Sequence, residues 1–319
     1  MKIFYNKIKY IILFLMAWLT LHIVCLRFFG IHLFPRRAQH YVTLPSQLKD
    51  RGIFEDLGED LQIPIPNWLP TEHMSLAKRG SLVALHFGDH VLALFDWSNR
   101  SLSAEDEALL NEVLGDRFPQ AVSEMRRGKP RSRLWIDQDG DRIPDSLDIH
   151  LGILKVLRNR ACYDDQVFPS GEVPRTIGVC TDVAVRAYRN AGIDLKMLQN
   201  QDLLRNPSAY GIQGQPKLNF AHRRVRRMFP FFKRHYRQLK TSPSLSEKSH
   251  QAWLPGDILF MSLLPGKTTA DHVGLVSGHV QLSGYPLLAH NAMTGFCVGE
   301  HDILFFQKIL GRFRPTLPR

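Results

Sequence analysis

No Cys-x-x-Cys pair occurs in this chain, and cysteine itself is scarce: Cys25, Cys162, Cys180 and Cys297 are all there is. That excludes the paired-thiol zinc site and the thioredoxin-type redox motif. Cys162 and Cys297 either form a disulfide in an oxidising compartment or are two unrelated buried thiols, and the sequence leaves both open. No helix-turn-helix or zinc-finger pattern is present, so nucleic acid is not expected as a partner. Acidic residues are missing from Arg223 to Lys240, where eight Lys or Arg stand. Phe229, Phe231, Phe232 and Tyr236 recur there at helical spacing, which fits an amphipathic helix with a solvated basic face. Such a face can also hold anionic lipid or an anionic polymer. The net charge is +11 over 319 residues, with 44% hydrophobic and 22% charged residues, an ordinary globular composition.

Small residues are missing where a signal peptidase would cut. Lys2, Lys7 and Lys9 precede an apolar run from Tyr10 to Leu26, which ends in His22-Ile23-Val24-Cys25-Leu26. The run is near the minimum that spans a bilayer, and it lacks a small-residue cleavage site. An uncleaved N-terminal membrane anchor over residues 1–37 is therefore expected. Three lysines before the run face Arg27, Arg36 and Arg37 after it, so the charge rule does not orient the segment. The expected placement is single-pass in a bacterial inner membrane with the bulk outside the cytoplasm, the side that suits the chemistry described below.

Residues 38–134 read as a tether followed by a small α+β accessory module. Two apolar runs flank Gly88-Asp89-His90 between Gly80 and Trp97, which predicts a β-hairpin. Ser103 caps a helix whose apolar face is Leu109, Leu110, Val113 and Leu114, and a second helix is expected over Pro119–Arg127.

Residues 135–150 are an Asp-rich loop. Asp137, Asp139, Asp141, Asp145 and Asp148 fall at positions 1, 3, 5, 9 and 12 of a twelve-residue stretch, and Ile143 at position 7 can offer its backbone carbonyl. Calcium takes six to eight hard oxygens in a flexible shell, so a structural and weakly bound calcium ion is expected here. The plain alternative is an acidic linker before a helix capped by Asp145 or Ser146. The loop resembles those of thrombospondin type 3 repeats and dockerins. It departs from an EF-hand at Gly140, Arg142 and Asp148, which implies weak affinity.

In residues 151–319, Gly178-Val179-Cys180-Thr181-Asp182 leads into a helical run ending at Gly192. A thiol at a helix N-terminus faces backbone N–H groups, which lower its pKa and can also hold an oxyanion. The plain alternative is a small buried hydrophobe. Downstream, Pro255-Gly256-Asp257 opens a strand, His272-Val273-Gly274 a second, and Tyr285 to His290-Asn291 forms a third, so an antiparallel meander is expected. His272 can then serve as base for Cys180, with His290 orienting its ring and Asn291 as a second choice. Tyr163 and Asp182 are expected to line the site. No cofactor is needed for this chemistry.

These motifs resemble the core of NlpC-type cell-wall cysteine peptidases. More closely, residues 155–316 resemble the bacterial domain of unknown function 1287 family, through Tyr163-Asp164, Gly-Val-Cys-Thr-Asp, Arg186-Ala-Tyr188, Gly192-Ile-Asp194, Asn219, His222-Arg-Arg-Val225, Pro-Gly-Asp, His-Val-Gly and His290-Asn291. The resemblance implies a papain-like α+β fold, in which a helix packs on an antiparallel sheet. It implies a Cys180–His272–His290 site acting on peptidoglycan stem peptides. A non-catalytic wall-binding protein and an acyltransferase or deamidase are the alternatives.

Overall fold

A computed structural model describes residues 39–318 apart from 51, 59–60, 129–131, 243–251, 265, 281–283, 294 and 305. Among the described residues no helix is long and apolar enough to cross a membrane. This corrects the expected fold class and the expected single-pass inner-membrane placement, both of which included a transmembrane helix. The segment read as that anchor, residues 1–37, lies outside the described residues. What the structure supports is a mixed α+β protein built on antiparallel sheets.

Strands β1 (Tyr41–Val42) and β2 (Ile63–Pro64) pair with each other. The expected hairpin forms as β4 (Leu82–Phe87) and β5 (His90–Asp96), with β3 (Met74–Arg79) added to make a three-stranded antiparallel meander. Strands β4 and β5 are buried along almost their whole length because both faces are covered, while β3, at one edge, carries Ser75, Lys78 and Arg79 toward solvent. Val83, Leu85 and Phe87 pack under helices α1 (Ala104–Leu114) and α2 (Phe118–Arg127), against Leu110, Leu114 and Met125. Leu82 and Ala84 pack on the other side against Leu147, Leu151 and Leu154 of α3 (Asp145–Asn159). Ser103 caps α1 as expected, its hydroxyl accepting from Asp106 N at 3.0 Å.

Helix α3 starts earlier than its apolar pattern suggests and joins two cores. Its Ile149, Ile153 and Val156 belong to the core of the second half. There the short strands β6 (Cys162–Tyr163) and β7 (Ile177–Gly178) pair in parallel and deliver the chain to α4 (Cys180–Asn190), followed by α5 (Leu195–Arg205) and α6 (Val225–His235). Gly152 lets α3 and α4 touch: a Cβ there would sit 2.8 Å from Asn190 Cβ. The basic helix α6 is amphipathic as expected, burying Val225, Met228, Phe231 and Phe232 while Arg226 and Lys233 stay exposed. Part of its charge is used internally, Arg234 Nε lying 2.9 Å from Asp202.

Strands β8 (Tyr236–Gln238), β9 (Ile258–Ser262), β10 (His272–Val280), β11 (Pro286–His290), β12 (Gly299–His301) and β13 (Lys308–Pro318) form one antiparallel sheet in the order β12-β11-β10-β9-β13-β8. The expected meander is its β9-β10-β11 portion. One face, carrying Ile258, Phe260, Val273, Leu275 and Phe313, packs under α3, α4 and α6. The other carries Leu259, Met261, Val276 and Leu288 against Trp253, Ile303 and Leu304.

The Pro-Gly-Asp turn holds this sheet to α4. Gly256 has φ 91, a backbone state that side chains resist, and its carbonyl accepts from Tyr188 Oη at 2.9 Å. Asp257 is fully buried and accepts from Arg312 Nε at 3.0 Å, Arg314 Nε at 2.6 Å and Leu254 N at 3.2 Å. Burial pushes its pKa up, but Arg314 and Arg312 outweigh that and hold the carboxyl below its ordinary value. Asp257→Asn strands two buried guanidinium groups and should cost about 3–5 kcal/mol, read as a loss of denaturant midpoint at unchanged slope. A midpoint within experimental error of wild type would contradict this account.

Candidate active site around Cys180

Cys180 is the first residue of α4, and the residues before it are clamped from three directions. Val179 is the N-cap, and Asp182 folds back so that its Oδ2 accepts from Val179 N at 2.8 Å. The same oxygen accepts from Arg223 Nε at 3.0 Å, with both side chains buried. Arg223 also donates to the carbonyls of Asp164, at 2.5 Å, and Gln166. Asn291, the residue after β11, donates from Nδ2 to Gly178 O at 2.8 Å and Ala161 O at 3.3 Å. Cys162 and Cys297 form a disulfide, so of the two readings left open the bridge is the one observed. It fastens this wall, beside the hydrogen bonds from Tyr163 N to Phe296 O (2.7 Å) and from Val298 N to Ala161 O (2.8 Å). Asn291 and Asp182 are thus positioning groups for the turn at 178–180. Asn291 does not orient an imidazole.

His272 opens β10 and His290 closes β11. His272 Nε2 lies 3.0 Å from His290 Nδ1, with the rings nearly perpendicular at 83°. His301, which no motif in the sequence marks, stands beside them, its ring centroid 4.4 Å from that of His290. Strand alternation places these rings. A Cβ on Gly274 would sit 3.4 Å from His290 Cβ and 3.6 Å from Met261 Cε, so His272 and His290 share the Met261 face of the sheet. Val273 and Leu275 point the other way, into the core that contains Cys180. The sulfur meets β10 at its backbone: the N–H groups of Val273, Thr181 and Cys180 itself point at it. Among the described residues no hydrogen bond joins the Cys180 sulfur to an imidazole. The structure therefore brings Cys180 alongside the residue that follows His272, joins His272 to His290, and leaves thiol and imidazole unpaired.

Burial governs the charges. It pushes the Cys180 thiol up to about 12, against the backbone N–H groups that favour thiolate, with Asp182 adding to the rise. The expected lowering at a helix N-terminus is offset, because Cys180, a residue only 8% exposed, has lost the water that would solvate a thiolate. Burial also lowers His272 to about 4, offset in part by Asp271, and drives His290 well below its ordinary value with help from His301 and His272. Both imidazoles are neutral at pH 7. Tyr163 stands near Cys180: burial raises its pKa first, and the nearby Cys180 second.

The Asp-rich loop divides into two groups. The oxygens of Asp137, Asp139 and Asp141 lie within 4.8 Å of one another, as do those of Asp50, Asp141 and Asp148. Asp145 faces neither: its two oxygens accept from Gln138 N at 2.8 Å and Gln138 Nε2 at 2.7 Å. Ile143 donates its N–H to Asp141 Oδ1 at 2.7 Å, and its side chain is buried. Among the described residues the expected aspartates thus gather as two overlapping groups instead of one twelve-residue cage. Three aspartates in each group still suit a hard cation. Asp148 is fully buried, and burial, then Asp141, Asp50 and Asp139, push its pKa up to about 10.

Residues 152–315 match the family model described as Domain of unknown function (DUF1287). The chain belongs to this family. The matched span takes in Tyr163, Cys180, Asp182, His272, His290 and Asn291, while the Asp-rich loop precedes it. The chain is 35% identical over 155 residues to the Uncharacterized protein YijF of Escherichia coli (strain K12), an alignment covering 48% of this chain and 71% of that protein. No solved structure matches the chain. Neither the family description nor that of the relative mentions an NlpC-type peptidase.

The charge pattern around the thiol predicts how it reacts. Alkylation of Cys180 by iodoacetamide, with Cys180→Ser as the blank for Cys25, should quicken steadily as pH rises and show no plateau at neutrality. A plateau below about pH 8.5, the ordinary thiol value, would mean an activated thiolate and contradict the effect of burial.

Proposed function

We propose that this protein is a cysteine hydrolase of amide bonds in peptidoglycan stem peptides, with Cys180 as nucleophile, His272 as base and His290 as the group that orients it. The observation that carries this reading is that the helix-borne Cys180 meets β10 at Val273, the residue after His272, which is itself hydrogen-bonded to His290. The order of elements, a helix-borne Cys and then His on two adjacent strands, also supports it as the order of NlpC-type peptidases.

The resting pair is neutral, so the reaction starts with a proton transfer. For His272 to act, its Nδ1 must hold a lone pair, which requires its Nε2–H to donate to His290 Nδ1. His272 shares the Met261 face of the sheet while Cys180 belongs to the opposite core, so the reaction requires the ring to turn toward the sulfur. Nδ1 then takes the Sγ proton as sulfur attacks the amide carbonyl. The tetrahedral oxyanion forms at the start of α4, where the N–H groups of Cys180 and Thr181 are directed. The imidazolium returns its proton to the leaving amine, and water, deprotonated by the same nitrogen, frees the acyl group. An acyltransferase or deamidase would use the same steps with another acceptor or leaving group.

One observation favours a second reading, a non-catalytic binder of cell-wall peptides. The sulfur hydrogen-bonds to no imidazole among the described residues, and its thiol is pushed up to about 12. Digestion of cell-wall sacculi by the purified protein separates the two. A hydrolase releases peptide fragments, Cys180→Ala releases none, and His272→Ala loses about 10²- to 10⁴-fold in rate. His290→Ala should lose less and shift the pH profile, because it changes the tautomer balance of His272 and not the nucleophile. Wild type that binds sacculi but releases nothing, like Cys180→Ala, would establish the binder.

A further inference from the structure

Asp50, Asp141 and Asp148 come from three separate places: the segment before the three-stranded sheet, the Asp-rich loop and the first turn of α3. Asp148 is fully buried; Asn190 Nδ2 donates to its Oδ1 and to its backbone O at 3.1 Å. Its Oδ2 is buried with no hydrogen-bond partner among the described residues, and one carboxylate oxygen of Asp148 lies within 4.8 Å of oxygens of Asp50 and Asp141. Lys155 is the ammonium beside them: Nζ lies 2.5 Å from Asp50 Oδ2 and donates to Asn190 Oδ1 at 3.1 Å. Three carboxylates against one ammonium leave an interior deficit of positive charge, and like charges so placed repel strongly.

We propose that Asp50, Asp141 and Asp148 hold one calcium ion in a buried site that ties the N-terminal segment to α3. The spacing suits it. Oxygens around an ion at about 2.4 Å stand no more than about 4.8 Å apart, and these three meet that limit. Carboxylate oxygens in a shell of loose geometry select a hard divalent cation. The ligand set differs from the loop pattern: it recruits Asp50 from outside the loop, and it leaves out Asp145, whose oxygens serve Gln138. The rival occupant is a proton shared among the carboxylates, which would quench one charge without an ion. The site lies at the Asn190 end of α4, the opposite end from Cys180.

The test uses the full chain, stripped with chelator and titrated with calcium chloride alone. Wild type should bind calcium in a calorimetric titration and gain roughly 3–6 °C in melting temperature at saturating ion. Asp148→Asn and Asp50→Asn should lose both the heat and the shift, while Asp145→Asn should keep them. The Asn variants preserve shape and remove charge, so folding of the stripped protein is expected. If either variant fails to fold, the isosteric Asp141→Asn gives the same readout. Wild type without a calcium response would mean that a proton occupies the cluster. A response abolished by Asp137→Asn and kept by Asp148→Asn would assign the ion to the outer aspartates. Either result overturns the proposal.

Discussion

The candidate site depends on how the turn from Gly178 to Cys180 is held. A turn entering a helix has N–H groups without intrahelical partners and carbonyls that must find donors. Here Asp182 takes the Val179 N–H, and Asn291 supplies a donor to the Gly178 carbonyl. Arg223 closes the arrangement by pairing with Asp182 and reaching the carbonyls of the 164–166 loop. These partners come from α4, from the end of β11 and from just before α6. The turn therefore takes its position only once sheet and helices have docked, and the sulfur is set against the first residues of β10 as a consequence.

That rigidity fixes the electrostatics. A thiol at a helix start in water would gain from the N–H groups around it. Packed against the start of β10, a central strand, it loses more from desolvation, and the same loss keeps His272 and His290 uncharged. A site of neutral groups stores no thiolate. Under the proposed hydrolase reading it would act by moving a proton as the bond to carbon forms, and the hydrogen bond between the two histidines would control that step through the tautomer it selects. His301 enters here: its charge, when protonated, would repel a proton on His290 and so helps keep that ring neutral, and it belongs to the group although it follows on β12.

Much of this was legible in the sequence, where chemistry and local pattern coincide. The hairpin of β4 and β5, the Ser103 cap, the meander β9-β10-β11 and the start of α4 at Cys180 follow from periodicity and turn residues. So does the neighbourhood of His272 and His290, since both lie at strand ends that face each other. The charge state of Cys180 was not legible, because a pKa depends on burial by residues far away in sequence. Nor were the partners of the aspartates. Spacing suggested one twelve-residue cage, but a short loop cannot reveal that Gln138 will claim Asp145 or that Asp50 will approach Asp148. Asp257 was read as a turn residue, and its role as the buried partner of Arg312 and Arg314 needed β13 in place.

Helix α4 links these observations because both of its ends are anchored by buried polar groups. At Cys180 the anchors are Asp182, Arg223 and Asn291. At Asn190 they are Asp148, Lys155 and, through Lys155, Asp50. Between them the helix lies against Gly152 of α3, and Tyr188 bonds the Gly256 carbonyl that opens β9. Buried polar networks contribute little to stability when compared with apolar packing of equal volume. They do fix one arrangement, since any shift of the helix would strand a charge or a donor. Under the proposed hydrolase reading, a nucleophile presented at a single strand start would need that kind of fixed placement, and the buried polar residues of α4 are concentrated at its two ends.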